Sequence, residues 1–231
     1  MAGALYLVPN LLGAAPPSDV LPARTLEIAR SLRHWVVETP KPARAFLKSL
    51  GLPWPVSELA IAPIDVADVR TLLSPVRAGH DLGVLSDAGC PGIADPGSAL
   101  VAAAHASEIR VIPLVGPSAV LLALMAAGMN GQRFAFHGYL PSSADARAQA
   151  LRKLEAESRA LRCTQIFIET PYRNVAMLAS IVAALAPQTR VCVAADLTLP
   201  TESIATRAVR DWRRCDPGVY AKRPAIFLLE G

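Results

Sequence analysis

The segment Gly83-Val-Leu-Ser-Asp-Ala-Gly-Cys-Pro-Gly-Ile-Ala-Asp-Pro-Gly97 sets two carboxylates, Asp87 and Asp95, eight residues apart among three loop glycines. An apolar run ends at Leu85, the loop Ser86–Gly97 follows, and an Ala-rich helical pattern opens at Ser98. Glycines let a backbone approach a ligand closely, and the amides that open a helix favour anions or polar groups. In open α/β sheets the ligand crevice lies at the carboxyl ends of the strands. Asp87 and Asp95 are therefore of a type and spacing to hydrogen-bond a ribose, hold a metal, or cap turns. Tight-turn architecture without a ligand is the competing reading.

Other chemistries lack their residues. There is no Gly-Lys-Ser/Thr for a phosphate loop, and Gly116-Pro-Ser-Ala-Val120 lacks the second glycine of a nucleophile elbow. The loop is not Gly-x-Gly-x-x-Gly and lies too far along the chain for a first strand-to-helix turn, so the binding mode is other than Rossmann-type. Cys90, Cys163, Cys192 and Cys215 form no Cys-x-x-Cys pair, and His34, His80, His105 and His137 are scattered. No metal site is expected, and the thiols are expected to be reduced.

The elements that must position this loop alternate along the chain. Strands are expected at Leu5–Val8, Trp35–Val37, Leu82–Leu85 and Val111–Leu114, with helices at Ala23–Leu32, Ala43–Leu50, Val66–Arg77 and Ser98–Ser107. Short apolar runs alternating with helices predict a parallel sheet buried on both faces. Beyond a turn at Pro113–Pro117, helices are expected at Ser118–Ala127, Ala144–Ser158 and Asn174–Ala186. Strands are expected at Phe134–Tyr139, Ile166–Ile168, Val191–Ala194, Ser203–Arg207 and Ala225–Leu229. That strand-rich end predicts a mixed second sheet. The expectation is α/β, with an N-terminal domain over 1–115 and a C-terminal domain over 116–231.

Of 231 residues, 52% are apolar and 18% charged, against roughly 25% charged in ordinary soluble domains. Disorder, which needs low hydrophobicity and high net charge, is excluded. The uncharged stretch from Val111 to Gln132 is broken by Pro113, Gly116 and Pro117 and ends at Asn130-Gly131, so a buried strand, turn and helix are expected instead of a membrane span. The N-terminus has no basic region before its apolar run, and a cytoplasmic protein is expected. Residues 1–110 hold 9 Lys+Arg against 10 Asp+Glu, while 111–231 hold 14 against 9. A basic half suits a polyanion such as RNA, although interleaved acids such as Glu155, Glu157 and Asp211 also fit solvated helix faces.

Three stretches together resemble the tetrapyrrole methylase superfamily of S-adenosylmethionine (SAM)-dependent methyltransferases: Ser86–Gly97, Val111-Ile-Pro-Leu-Val-Gly-Pro-Ser-Ala119 and Arg133-Phe-Ala-Phe-His-Gly-Tyr-Leu-Pro141. Within it the chain is most similar to the ribosomal RNA small-subunit methyltransferase I group, which 2′-O-methylates a cytidine of 16S rRNA. Phe167-Ile-Glu-Thr-Pro-Tyr-Arg173, Ala195-Asp-Leu-Thr198 and Leu229-Glu-Gly231 extend the likeness to the whole chain. The resemblance implies a two-domain, tetrapyrrole-methylase-like fold with SAM in the cleft between the domains, a homodimer, and RNA, chiefly small-subunit rRNA, as partner. By position it implies cofactor contacts at Pro9, Ser86, Asp87, Ala88, Gly89, Ile93, Ala94, Asp95, Pro117, Ser118, Ala119, Ile168, Glu169 and Leu197. Methyl transfer from a sulfonium is chiefly in-line positioning. For a hydroxyl acceptor a general base adds catalysis, and Asp87 is the candidate, with Asp95 and Glu169 behind it.

The chain departs from that group in places. Pro9-Asn-Leu-Leu-Gly13 stands where the group has Thr-Pro-Ile-Gly-Asn, and Glu38-Thr-Pro-Lys-Pro-Ala-Arg44, a basic, proline-fixed loop, where it has Glu-Asp-Thr-Arg. Ala221-Lys-Arg-Pro224 replaces Lys-Gly-Glu-Phe, and the sequence stops at Gly231 without the group's C-terminal extension. These changes leave open a methyltransferase acting on a tetrapyrrole or other small molecule, and a non-catalytic SAM- or RNA-binding relative.

Overall fold

A computed structural model describes residues 3–65 and 68–231. It divides into two compact units, Met1–Ser118 and Ala119–Gly231.

In the first unit β1 (Leu5–Leu7) is followed by a short α1 (Pro17–Val20), α2 (Ala23–Ser31), β2 (His34–Val37) and α3 (Pro40–Ser49). Then come β3 (Ala60–Pro63), α4 (Val69–Leu72), α5 (Ser74–Arg77), β4 (Leu82–Leu85), α6 (Ser98–Ala106) and β5 (Val111–Pro113). The sheet order is β3-β2-β4-β1-β5, and every pairing is parallel, as the alternation predicts. Side chains alternate between the two faces of a strand. Trp35, Val37 and Leu85 therefore pack with Leu26, Phe46 and Leu47 on one side, while Val36, Leu82 and Val84 pack with Leu72, Leu73 and Leu100 on the other.

Three local expectations change. The helix expected over Val66–Arg77 starts on Val66 and Ala67, which lie outside the described residues. Beyond them it is two short helices joined at Leu73, because Pro75 has no N–H to continue the ladder. Glu38–Arg44 is not a loop: α3 begins at Pro40, with Pro at the first helical position, where a missing N–H costs nothing. The edge strand β3 was not expected at all. Its sequence, Ala-Ile-Ala-Pro, is short, partly exposed and closed by a proline, all of which weaken a strand pattern.

The second unit comprises α7 (Ala119–Ala127), β6 (Phe134–Tyr139), α8 (Ala144–Leu161), β7 (Thr164–Glu169), α9 (Asn174–Ala184) and β8 (Arg190–Ala195). It finishes with β9 (Ser203–Ala208), α10 (Val209–Trp212) and β10 (Ala225–Glu230). Its sheet runs β6-β7-β10-β8-β9 and is mixed: β6 and β7 are parallel, and β10 lies antiparallel between β7 and β8. Phe167 and Phe227 stack at 5.7 Å in a core completed by α8 and α9. No helix of the described residues is long and apolar enough to cross a membrane.

Candidate functional site

The carboxyl ends of β1, β4 and β5 meet in the first unit, and most candidate residues gather there. Pro9 and Asn10 follow β1. The Asn10 amide donates to Gly89 O at 2.8 Å, and its side-chain NH₂ donates to Ser86 O and Asp87 O, each at 3.0 Å. Asn10 is 5% exposed, so this one side chain supplies partners for carbonyls that would otherwise be short of them. The buried Ser86 hydroxyl donates to Ala88 O at 3.1 Å. Cys90 Sγ reaches Pro117 O at 3.4 Å, and the Thr25 hydroxyl holds Val115 O at 2.7 Å. Gly116 lies flat against Pro9: a Cβ there would sit 2.3 Å from Pro9 Cβ. The loop is thus a fixed structure. Gly97, at φ 140°, turns it into α6 in a conformation open to glycine alone.

Three carboxylates converge on the loop. Glu38, just past β2, accepts the Asp87 amide through Oε2 at 2.9 Å, and Asp87 Oδ1 accepts the Thr39 amide at 3.2 Å. Asp95 is half-buried, and its pKa is pushed up from 3.8 to about 6. Burial is the main cause, with the charges of Glu38 and Asp87 adding to it and a hydrogen bond from Ser86 opposing it. The Asp87 side chain is exposed, as are Ile93 and Ala94, the latter at φ 66°. Among the described residues no group of three His, Cys, Asp or Glu side chains is arranged to hold a metal, and all four cysteines are free.

The second unit places its candidates at the ends of β7 and β8. Glu169 closes β7 with its side chain fully buried. Its Oε1 accepts the Thr170 amide at 2.7 Å and Arg173 Nη2 at 2.6 Å, while Oε2 is a buried acceptor without a partner. Leu197 is buried between Asp196 and Thr198, both at positive φ (53° and 72°), and Thr198 Oγ1 is also buried and unpartnered. Orphaned buried polar atoms are rare and costly, and two lie here, one at the carboxyl end of β7 and one just past that of β8, the two strands that flank β10. Arg223 fixes this region: its Nε donates to Asp196 Oδ2 at 2.8 Å, and its Nη2 to Thr201 O at 2.6 Å and Ser203 Oγ at 3.1 Å. Ala119 opens α7 and Ile168 precedes Glu169 in β7.

Sequence reasoning missed Asn10 and Arg223 as site-building residues. Both stood inside stretches where the chain departs from the group it resembles, which was the available signal.

No family model matches the chain. A ribosomal RNA small subunit methyltransferase I from Escherichia coli O157:H7 is 34% identical over 235 residues, covering 99% of this chain and 78% of the relative. One from Pseudomonas aeruginosa is 31% identical over 233 residues, covering 100% of this chain and 79% of the relative. Among solved structures, the methyltransferase CobJ aligns over 100% of this chain and 95% of its own at TM-score 0.64 and 20% identity. A uroporphyrin-III-C-methyltransferase from Thermus thermophilus aligns over 100% and 93% at TM-score 0.57 and 17% identity. At those identities the structures establish the fold.

Proposed function

The chain belongs to the ribosomal RNA small subunit methyltransferase I family, and from that membership we propose that it transfers a methyl group from SAM to a ribose 2′-hydroxyl of small-subunit rRNA. The observation that carries this reading is the loop Ser86–Gly97, held by Asn10 and Pro117 at the ends of the parallel strands and faced by Glu38, Asp87 and Asp95. SAM supplies a methyl group already activated on a sulfonium.

The residues present fit such a ligand. Three carboxylates make a negative site suited to a cation, and the buried Glu169 Oε2 suits an N–H or O–H donor. We assign the holding of SAM to Pro9, Ser86–Gly89, Ile93–Asp95, Pro117 and Ser118 of the first unit, and extend the role to Ala119, Ile168, Glu169 and Leu197. Asp87 is the general base. Its exposed carboxylate is oriented by the Thr39 amide and is free to take the proton of an incoming hydroxyl, a role worth about 10²–10⁴-fold in rate. Fixing the loop lowers the barrier further by pre-organising the acceptor and the methyl group.

A homodimer belongs to the same reading. Leu121 and Met125, one turn apart on α7, are 51% and 80% exposed, an apolar face that a second copy would cover. Sedimentation at micromolar concentration is expected to give twice the chain mass. Small-molecule acceptors have only the shared fold in their favour.

Calorimetry is the direct test of the cofactor assignment. SAM should still bind Asp87→Asn, with a modest loss of affinity because one of the three carboxylates is neutralised, while turnover falls by about 10²–10⁴-fold. No heat at millimolar SAM would remove the cofactor reading, and full turnover by Asp87→Asn would remove the base.

A further inference from the structure

α3 begins in contact with the loop residue assigned as base, through the paired hydrogen bonds of Glu38 and Thr39 with Asp87. One side of the helix is apolar and buried, through Ala43, Phe46 and Leu47. Away from it stand Lys41, Arg44 and Lys48, all exposed. At about 100° per residue these three fall within about 60° of one another, and they span about 10 Å of helix.

The helix contains no acidic residue, and among the described residues none of the three cations joins an ion pair. Elsewhere some exposed helix cations are paired within their own helix. On α8, Lys153 pairs with Glu157 and Arg159 with Glu155, and on α2, Arg24 pairs with Glu27. Three uncompensated positive charges in a row, starting at the candidate base, form a surface complementary to a phosphate backbone. Lysines act there as point charges and the arginine as a planar fork.

We infer that the Lys41–Arg44–Lys48 face of α3 is a phosphate track that holds the acceptor RNA strand and leads it to Asp87. The inference rests on the RNA-methyltransferase reading and adds to it where the strand lies. The contacts are to phosphates, so they position the strand and carry no sequence information.

The test uses the full chain, small ribosomal subunits from a strain lacking the corresponding methylation, and methyl-labelled SAM. In the triple variant Lys41→Gln, Arg44→Gln, Lys48→Gln, the KM for subunits should rise at least tenfold while SAM affinity stays at the wild-type value. Single-stranded contacts contribute a slope of about 0.7 each to the logarithmic salt dependence. The slope should therefore fall by about 2, and the loss of RNA affinity between 50 and 200 mM salt should shrink about 20-fold. The charge-preserving variant Lys41→Arg, Lys48→Arg should keep the wild-type KM. A triple variant with wild-type KM and slope would overturn the track alone, as would one whose defect lies in SAM binding. A wild type that labels no RNA would overturn the track together with the function it rests on.

Discussion

The side chain of Asn10 donates to the main-chain carbonyl of Ser86 at 3.0 Å, tying the end of β1 to the end of β4 across 76 residues of sequence. The same NH₂ group reaches Asp87 O, and Asn10 Oδ1 takes the Leu11 amide at 2.8 Å. One buried amide therefore sets the backbone on which the candidate base stands.

Asn10→Ala should destabilise the protein by about 1–3 kcal/mol, the cost of leaving buried acceptors unpaired. Urea denaturation followed by circular dichroism checks this, with the midpoint falling and the slope unchanged. SAM affinity should fall as well, because the loop loses its anchor.

Gly116→Ala should cost about 1–3 kcal/mol through overpacking, since the new methyl would lie 2.3 Å from Pro9 Cβ. Gly131→Ala is the control: a Cβ there has open space, and its effect should stay within about 0.5 kcal/mol. Thermal melts of both variants compare them directly.

Asp95 makes a prediction about pH. Its folded pKa of about 6 lies above the ordinary 3.8, so the folded state binds this proton more tightly than the unfolded chain. Stability therefore falls as pH rises between those two values, and the penalty is complete above about 6. Asp95→Asn removes the penalty. Its gain in melting temperature should grow from about pH 4 to about pH 6 and then level off. A gain that is the same at every pH would show that burial of Asp95 carries no electrostatic cost.

Arg223→Lys should not restore what Arg223 does. The guanidinium joins Asp196, Thr201, Ser203 and Val219 through three nitrogens, a fork that an ammonium cannot reproduce. The loop from Asp196 to Ser203 should become sensitive to limited proteolysis, with a loss of about 2 kcal/mol or more.

The parallel sheet was legible because β4 and its neighbours are short apolar runs bounded by turn residues, and burial on both faces needs nothing else. The loop after β4 was legible from its glycines and aspartates. What escaped were features whose cause lies far off in sequence. Asn10 is a polar residue after a strand until its partners at Ser86 and Asp87 are known. Lys41 reads as loop because two prolines surround it, with the helix expected only from Ala43, yet Pro40 starts a helix as readily as it ends one. β3 forms because β2 offers it an edge along His34–Val37, which its own four residues do not announce.

Methyl transfer to RNA is the central claim, and nucleoside analysis tests it most directly. Small ribosomal subunits lacking the modification should be incubated with the purified chain and methyl-labelled SAM, their rRNA digested to nucleosides, and the label located by mass spectrometry. Label is expected in a 2′-O-methylated nucleoside of the small-subunit rRNA. Label on a base, or none in RNA while a small-molecule acceptor is methylated, would contradict the claim.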